Sequence, residues 1–153
     1  MKKLDKFDLA ILRILQKDNT IVQRDIGEVV NLSASAVQRR IKRMRESGVI
    51  QSNIAVINPV KVGQPITLFV EVELENEKIE LIDESKALFK NSPEVQQCYY
   101  VTGGADFILT IIVPNMIYYE QLTRKLFFTN GNVKHFRTFV AMDRVKVGLN
   151  VPL

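Results

Sequence analysis

One cysteine, Cys98, and one histidine, His135, are all that the 153 residues hold of the side chains that build most metal centres and nucleophile–base pairs. A lone thiol excludes an internal disulfide framework and fits a reducing, cytoplasmic setting. With a lone imidazole there is no His/Cys metal cluster, and no Cys–His or Ser–His–Asp constellation. Cys98 lies mid-strand beside Tyr99 and Tyr100 and reads as a buried structural thiol. Long apolar runs are also missing. The stretch around Ile111–Val113 stops at Pro114, far short of the roughly 20 residues a membrane helix needs. The opening MKKLDKFDLAILRIL begins like a signal peptide, but Asp5, Lys6, Asp8 and Arg13 break up any apolar h-region. Low-complexity tracts are absent, and no membrane association is expected.

What is present is an ordinary soluble composition with an uneven charge. A hydrophobic fraction of 46% and a charged fraction of 25% suffice to bury a core, in one domain or two small ones. The net charge of +4 hides an asymmetry. Through Ile57 there are eleven Lys/Arg against six Asp/Glu, an excess of +5; from Asn58 onward ten face eleven, a balance of −1. Confining the positive charge to the first third predicts a nucleic-acid-binding part joined to a part with a different task.

The first third reads as three helices. Asp5 with Asp8 forms an acid-for-Glu capping box, and Phe7, Ile11 and Ile14/Leu15 recur at helical spacing. A short second helix is expected over about Val22 to Val30, with Ile26, Val29 and Val30 inward. Asn31-Leu32 turns the chain, Ser33 caps a third helix, and Gly48 ends it. Val49 to Ile57 is β-prone and reads as a strand or arm. Pro59, Gly63 and Pro65 then punctuate the chain, which places the basic three-helix part at 1–57, a linker at 58–65 and a second domain at 66–153. Beyond the linker the period changes to two: Ile66, Leu68, Val70, Val72 and Leu74 alternate with Thr67, Phe69, Glu71, Glu73 and Glu75. A helix over 79–91, strands over 94–102 and 107–113, a helix to about Thr129 and a last strand over 133–142 complete a βαββαβ order. That order is ferredoxin-like and makes the chain α+β.

The third helix carries the chemistry of the first part. In LSASAVQRRIKRMRESGVIQ, five of the seven residues from Arg39 to Arg45 are basic. At about 100° per residue, Val37, Ile41 and Met44 form one apolar stripe, while Ser35, Arg39, Lys42 and Arg43 lie roughly opposite it. Gln38 and Arg45 flank the stripe, and Arg40, nearer its edge, is placed to pack its stem and pair with an acid. Small residues at the N-terminus of the helix, Ser33 and Ser35 among them, allow close approach to a groove, and the basic ones beyond reach phosphates. Gln38 and Arg39 are suited to bidentate reading of a base edge. A solvated amphipathic helix is the plain alternative, but the short preceding helix, the tight turn and the lack of an acid before Glu46 favour a helix-turn-helix on double-stranded DNA.

In the second part, VTGGAD (101–106) admits two readings. It is a hairpin connection, with Gly103 and Gly104 supplying positive φ and Asp106 capping the turn. The less plain alternative is that the N–H groups of two glycines hold a carboxylate while Asp106 meets an ammonium group, which together suit a zwitterion.

LDKFDLAILRILQKDNTIVQRDIGEVVNLSASAVQRRIKRMRESGVI resembles the N-terminal winged helix-turn-helix of the Lrp/AsnC (feast/famine) transcription regulators. Leu4, Asp5, Asp8, Asp18, Leu32, Ser33, Arg39, Arg40, Gly48, Val49 and Ile50 occupy that family's motif positions. CYYVTGGADFILTIIV resembles the family's ligand-sensing RAM domain, so the likeness spans nearly the whole chain. Asn19-Thr20 stand where the family commonly has a Gly-Arg pair. The resemblance implies an amino-acid effector beside the glycine loop in a cleft between dimers. Tyr100, Thr102, Gly103, Gly104 and Asp106 are its expected ligands, with Thr138 from the facing subunit. No further charge lies in the loop, which points to leucine or methionine. The resemblance also implies a homodimer formed through the sheet and a higher assembly, commonly an octamer.

Three functions follow. The leading one is a cytoplasmic, sequence-specific transcription regulator whose DNA binding or assembly responds to a free amino acid, with no enzymatic activity and no metal or other cofactor. The second is an architectural DNA-binding protein without an effector. The third, an enzyme or RNA binder, is weakest: no acid/base pair stands out, and the strand ADFILTIIV carries one aromatic and no basic–aromatic pattern.

Overall fold

Asp5 starts the first helix, α1 (Lys6–Leu15), by accepting hydrogen bonds from the backbone N–H groups of Phe7 and Asp8 through its side chain. In return the Asp8 carboxylate accepts from the N–H of Asp5, so the expected capping box is formed. α2 (Gln23–Val30) ends at Asn31, whose φ of 57° places it in the left-handed region. Here glycine matters one turn earlier. A Cβ on Gly27 would run into the carbonyl oxygen of Leu32, so only glycine lets the turn fold back so closely. α3 (Ala34–Glu46) is capped by the Ser33 hydroxyl, which accepts from the Ala36 N–H, and the chain leaves it through Gly48 at φ 75°.

The computed structural model describes residues 3–153 and divides them into two compact units. One runs through Val56 and also takes in Lys146–Leu153; the other is Ile57–Val145. In the first, Ile11, Leu12, Ile26, Val30, Val37, Ile41 and Met44 form the core. Val29, expected to point inward, is instead 70% exposed, because one step of the helix carries it off the stripe set by Ile26 and Val30. Residues 51–57 form no strand; Ile54, Val56 and Ile57 are exposed there.

In the second unit a short 3₁₀ turn, Val60–Val62, precedes β1 (Ile66–Leu74), α4 (Ile79–Lys90), β2 (Val95–Tyr100), β3 (Phe107–Val113), α5 (Met116–Thr123) and β4 (Val133–Val140). The sheet order is β2-β3-β1-β4 with every neighbour antiparallel, the ferredoxin-like arrangement. β1 and β3 keep the expected bounds, β2 and β4 are shorter than the expected 94–102 and 133–142, and the second helix stops at Thr123. Five residues of π-helical turn, Arg124–Phe128, carry the chain on and put Phe127 in the core while Phe128 faces out. Alternation does the rest. Leu68, Val70, Val72, Leu109 and Ile111 are fully buried against the core aromatics Phe89 and Phe107, whose rings meet edge to face at 5.3 Å. Cys98 is half-buried, and burial pushes its thiol up, which keeps it protonated and unreactive near neutrality.

Candidate nucleic-acid interface and ligand groove

The recognition helix meets the sequence expectation on one face and departs from it at one residue. Ser33, Ser35, Gln38, Arg39, Lys42 and Arg45 are exposed, and Val37, Ile41 and Met44 are buried. Lys42 pairs loosely with Glu46 at 3.8 Å, both side chains well exposed. Arg40 turns inward as its place on the wheel suggests: one nitrogen donates to Asp5 at 2.7 Å and to Asp8 at 2.8 Å. Arg43 is the departure. Although the wheel sets it opposite the apolar stripe, its long stem reaches back to α1, where the guanidinium donates to Asp8 at 2.6 Å.

Asp8 is therefore the hub of this unit. Its side chain is 1% exposed and accepts from the Asp5 N–H and from two arginines of α3. A carboxylate so deeply placed is tolerable only because it is paired and hydrogen-bonded in several directions. The consequence for DNA is direct: two of the five cations between Arg39 and Arg45 are held on α1. Asp18 shows a smaller arrangement of the same kind. The Thr20 hydroxyl and then its N–H hold that carboxyl below the ordinary range, so Thr20 has a local role.

Asp5 supplies a pH test. The hydrogen bond from Arg40, followed by its bond with the Asp8 backbone, holds the Asp5 carboxyl below its ordinary value of 3.8. A group lowered in the folded state contributes stability that is present above its unfolded pKa and is lost as pH falls through the folded one. The melting temperature of this unit should therefore fall as the pH drops below the ordinary Asp value of 3.8, and Asp5→Asn should flatten that acid limb. A melting series in which wild type and Asp5→Asn run parallel down to acid pH would remove Asp5 from this role.

On the second unit, the glycine loop opens onto a groove of about 560 Å³. Gly103, Gly104 and Asp106 line one side, and Glu73, Glu75, Glu77 and Lys134 contribute its charge. Asp106 is anchored: one carboxylate oxygen accepts from the Leu74 N–H at 2.7 Å, while its own N–H donates to the Val72 carbonyl. Gly103 sits at φ +131°, where a side chain would be strained, and a Cβ on either glycine would meet open space. Four carboxylates against one lysine leave the groove negative, a setting for an ammonium group.

Several features of the groove are not readable from the loop alone. At the β1–β4 edge the pairing shifts between Glu73 and Leu74, and Lys134 is the extra residue of that bulge. Lys134 donates to Glu73 at 2.5 Å, which holds the Glu73 carboxyl down and the Lys134 ammonium up. The buried Asn132 braces the segment after β1 by bonding both the N–H and the carbonyl of Asn76.

Of the other expected ligands, Thr102 is exposed in the same loop without lining the groove, and two lie elsewhere in the chain. Tyr100 packs on Phe107 at 5.1 Å with the Lys86 ammonium over its ring, in a second groove between α4 and β2. The Thr138 hydroxyl shares a 2.5 Å hydrogen bond with Tyr119, whose phenol is pushed up by burial. Among the described residues, no three His, Cys, Asp or Glu side chains are placed to hold a metal ion, and no helix is long and apolar enough to cross a membrane.

Comparison with known proteins matches both units. Residues 4–51 match the winged helix-turn-helix DNA-binding family, and residues 67–151 match the Lrp/AsnC ligand binding domain. A helix-turn-helix-type transcriptional regulator of Sinorhizobium fredii is 42% identical over 151 residues, 99% of this chain and 89% of that protein. The leucine-responsive regulatory protein of Haemophilus influenzae is 32% identical over 145 residues, 95% of this chain and 87% of that one. The crystal structure of an AsnC family transcriptional regulator from Agrobacterium tumefaciens superposes with a TM-score of 0.91 at 31% identity, covering 97% of both chains. An exposed basic recognition helix joined to a glycine-loop ligand domain, with relatives alike along the whole chain, makes this protein a DNA-binding transcription regulator of the Lrp/AsnC family.

Proposed function

We propose that the chain regulates transcription in response to a free amino acid of apolar side chain, leucine or methionine first, bound at the Gly103–Asp106 loop. The observation that carries this reading is the negative groove where Asp106 is fixed by Leu74 beside two unobstructed glycines. In it the ammonium group faces Asp106 and the neighbouring glutamates, and the carboxylate takes the N–H groups of Gly103 and Gly104. Thr102 of the same loop and a Thr138 from a facing subunit close over the side chain, while Tyr100, turned toward α4, stays outside this groove. The leucine-responsive relative supports an apolar effector.

On DNA, Gln38 and Arg39 read base edges, and Ser33, Ser35, Lys42 and Arg45 meet the backbone. Arg43 serves chiefly to hold α3 on α1. Assembly supports the same reading: Phe69, Tyr99, Ile108 and Phe139 are exposed on the sheet, an apolar face suited to pairing two copies. Such a dimer sets two recognition helices about one DNA turn apart on a near-palindromic site, and a further assembly to an octamer carries the effector cleft between dimers.

The test is DNA affinity as a function of salt, with and without the amino acid. Each lost phosphate contact removes about 0.9 from the logarithmic salt slope. Lys42→Ala and Arg45→Ala should each show that reduction on every sequence. Gln38→Ala and Arg39→Ala should change which sequences are preferred. Arg43→Ala should leave the slope nearly intact and lower the melting temperature instead. A slope reduced as much by Arg43→Ala as by Lys42→Ala would return Arg43 to the phosphate interface. An affinity that no amino acid alters would favour the architectural DNA-binding protein.

A further inference from the structure

Residues 145–153, RVKVGLNVPL from Arg144 onward, place Val145, Val147, Leu149, Val151 and Leu153 at every second position. That is the period of a strand, yet the segment joins no sheet. Instead, Lys146–Leu153 belongs to the DNA-binding unit, although the chain has by then passed through the whole ligand domain. The contact is specific. The Gln16 carboxamide accepts from the Val151 N–H at 2.6 Å and donates to the Val151 carbonyl at 3.1 Å. One step further along the same edge, Arg13 Nε donates to the Leu153 carbonyl at 2.9 Å.

A carboxamide is a peptide group on a stem, with one donor side and one acceptor side. Gln16 thus meets Val151 as the facing residue of an antiparallel strand would, satisfying both of its backbone groups at once. Exposure follows the anchoring: Val145 is 88% exposed, Val151 60% and Leu153 40%. The end nearest α1 is the end most covered.

We propose that the last turn of α1 is a docking surface for an extended strand, and that residues 146–153 occupy it in cis as a strap. The chain then joins the DNA-binding unit at two places, after α3 and again on α1. An unstrapped unit has more freedom to lose when it settles on DNA, so docking pre-organises it and raises affinity without touching a phosphate. This rests on the DNA-binding assignment and is independent of any amino-acid effector.

Hydrogen exchange on the full-length protein, joined to DNA titrations, tests it. The DNA is a duplex enriched by in vitro selection from random sequence on the purified protein. In wild type the Val151 amide should exchange at least about tenfold more slowly than that of Lys146, and Gln16→Ala should abolish the difference while Ile41 and Met44 stay protected. The same variant should weaken DNA binding by about three- to tenfold with an unchanged salt slope. Val151→Pro deletes the donor and leaves α1 untouched, and should weaken binding equally. A Val151 amide as fast as Lys146 in wild type, or protection that survives Gln16→Ala, would overturn the docking. Protection that grows with protein concentration would overturn docking in cis by showing that a second copy supplies the strand. DNA affinity unchanged in both variants would overturn the role assigned to the strap.

Discussion

Replacing Asp8 with alanine is expected to lower the stability of the DNA-binding unit by about 3 kcal/mol. The figure follows from what the side chain does. It is 1% exposed, accepts from Arg40 and Arg43, and returns the second bond of the capping box to the Asp5 N–H. Removing it strips Arg43 of its carboxylate, takes one of two from Arg40 and leaves a void beside α1. Breaking a buried ion pair commonly costs about 3–5 kcal/mol, and the lower end applies because Arg43 can turn to water and Arg40 keeps Asp5. In a unit of this size the midpoint should fall by more than about 10 °C. Asp8→Asn keeps the volume and one acceptor but loses the charge, so it should fall between wild type and alanine. Thermal melts of the three proteins decide this, and an alanine variant within about 1 °C of wild type would contradict the hub.

The second large effect is expected in the ligand groove. Asp106 has two tasks that two substitutions separate. Its carboxylate accepts from the Leu74 N–H and so fixes the glycine loop on β1. We assign its charge to the effector's ammonium group. Asp106→Asn retains an acceptor for Leu74 and removes the charge. It should leave the melting temperature near that of wild type and weaken amino-acid binding by about ten- to a hundredfold, the worth of a charge-assisted hydrogen bond. Asp106→Ala loses both tasks and should also destabilise the loop. Calorimetric titration of the asparagine variant is decisive: affinity equal to that of wild type would take Asp106 out of ammonium recognition and leave it a structural residue.

Both predictions depend on contacts that differ in how far they can be read in the sequence. The three-helix start, its caps and the alternation of β1 are local patterns. Asp5, Asp8, Ser33 and the Ile66–Leu74 strand are legible because each is decided within a few residues. Arg40 is half-legible. Its angle on the wheel indicates an inward stem, while its partners Asp5 and Asp8 lie on another helix. Arg43 shows the limit of the wheel, which fixes where a side chain starts and not how far three methylenes can carry its head. Tyr100 and Asp106 are neighbours in the sequence, yet β2 turns the tyrosine toward α4 while the loop turns the carboxylate toward β1. Glu71 and Glu73 meet Arg137 and Lys134 because of the β1–β4 register, which the sequence of β1 alone does not carry. The Asn132 brace depends on that same pairing of distant strands. Gly27 was silent in the sequence, since a glycine inside a helix acquires its meaning from the turn that packs on it.

The most direct test of the central claim is a thermal-shift screen of the purified protein against the twenty amino acids at millimolar concentration. A ligand that binds only the folded form at 100 times its dissociation constant stabilises by about 2.7 kcal/mol, a shift of several degrees in a domain of this size. The account predicts that a small set of apolar amino acids, with leucine or methionine at its head, raises the melting temperature of wild type and raises that of Asp106→Asn by about half as much or less. A screen in which none of the twenty shifts the wild-type protein would contradict it.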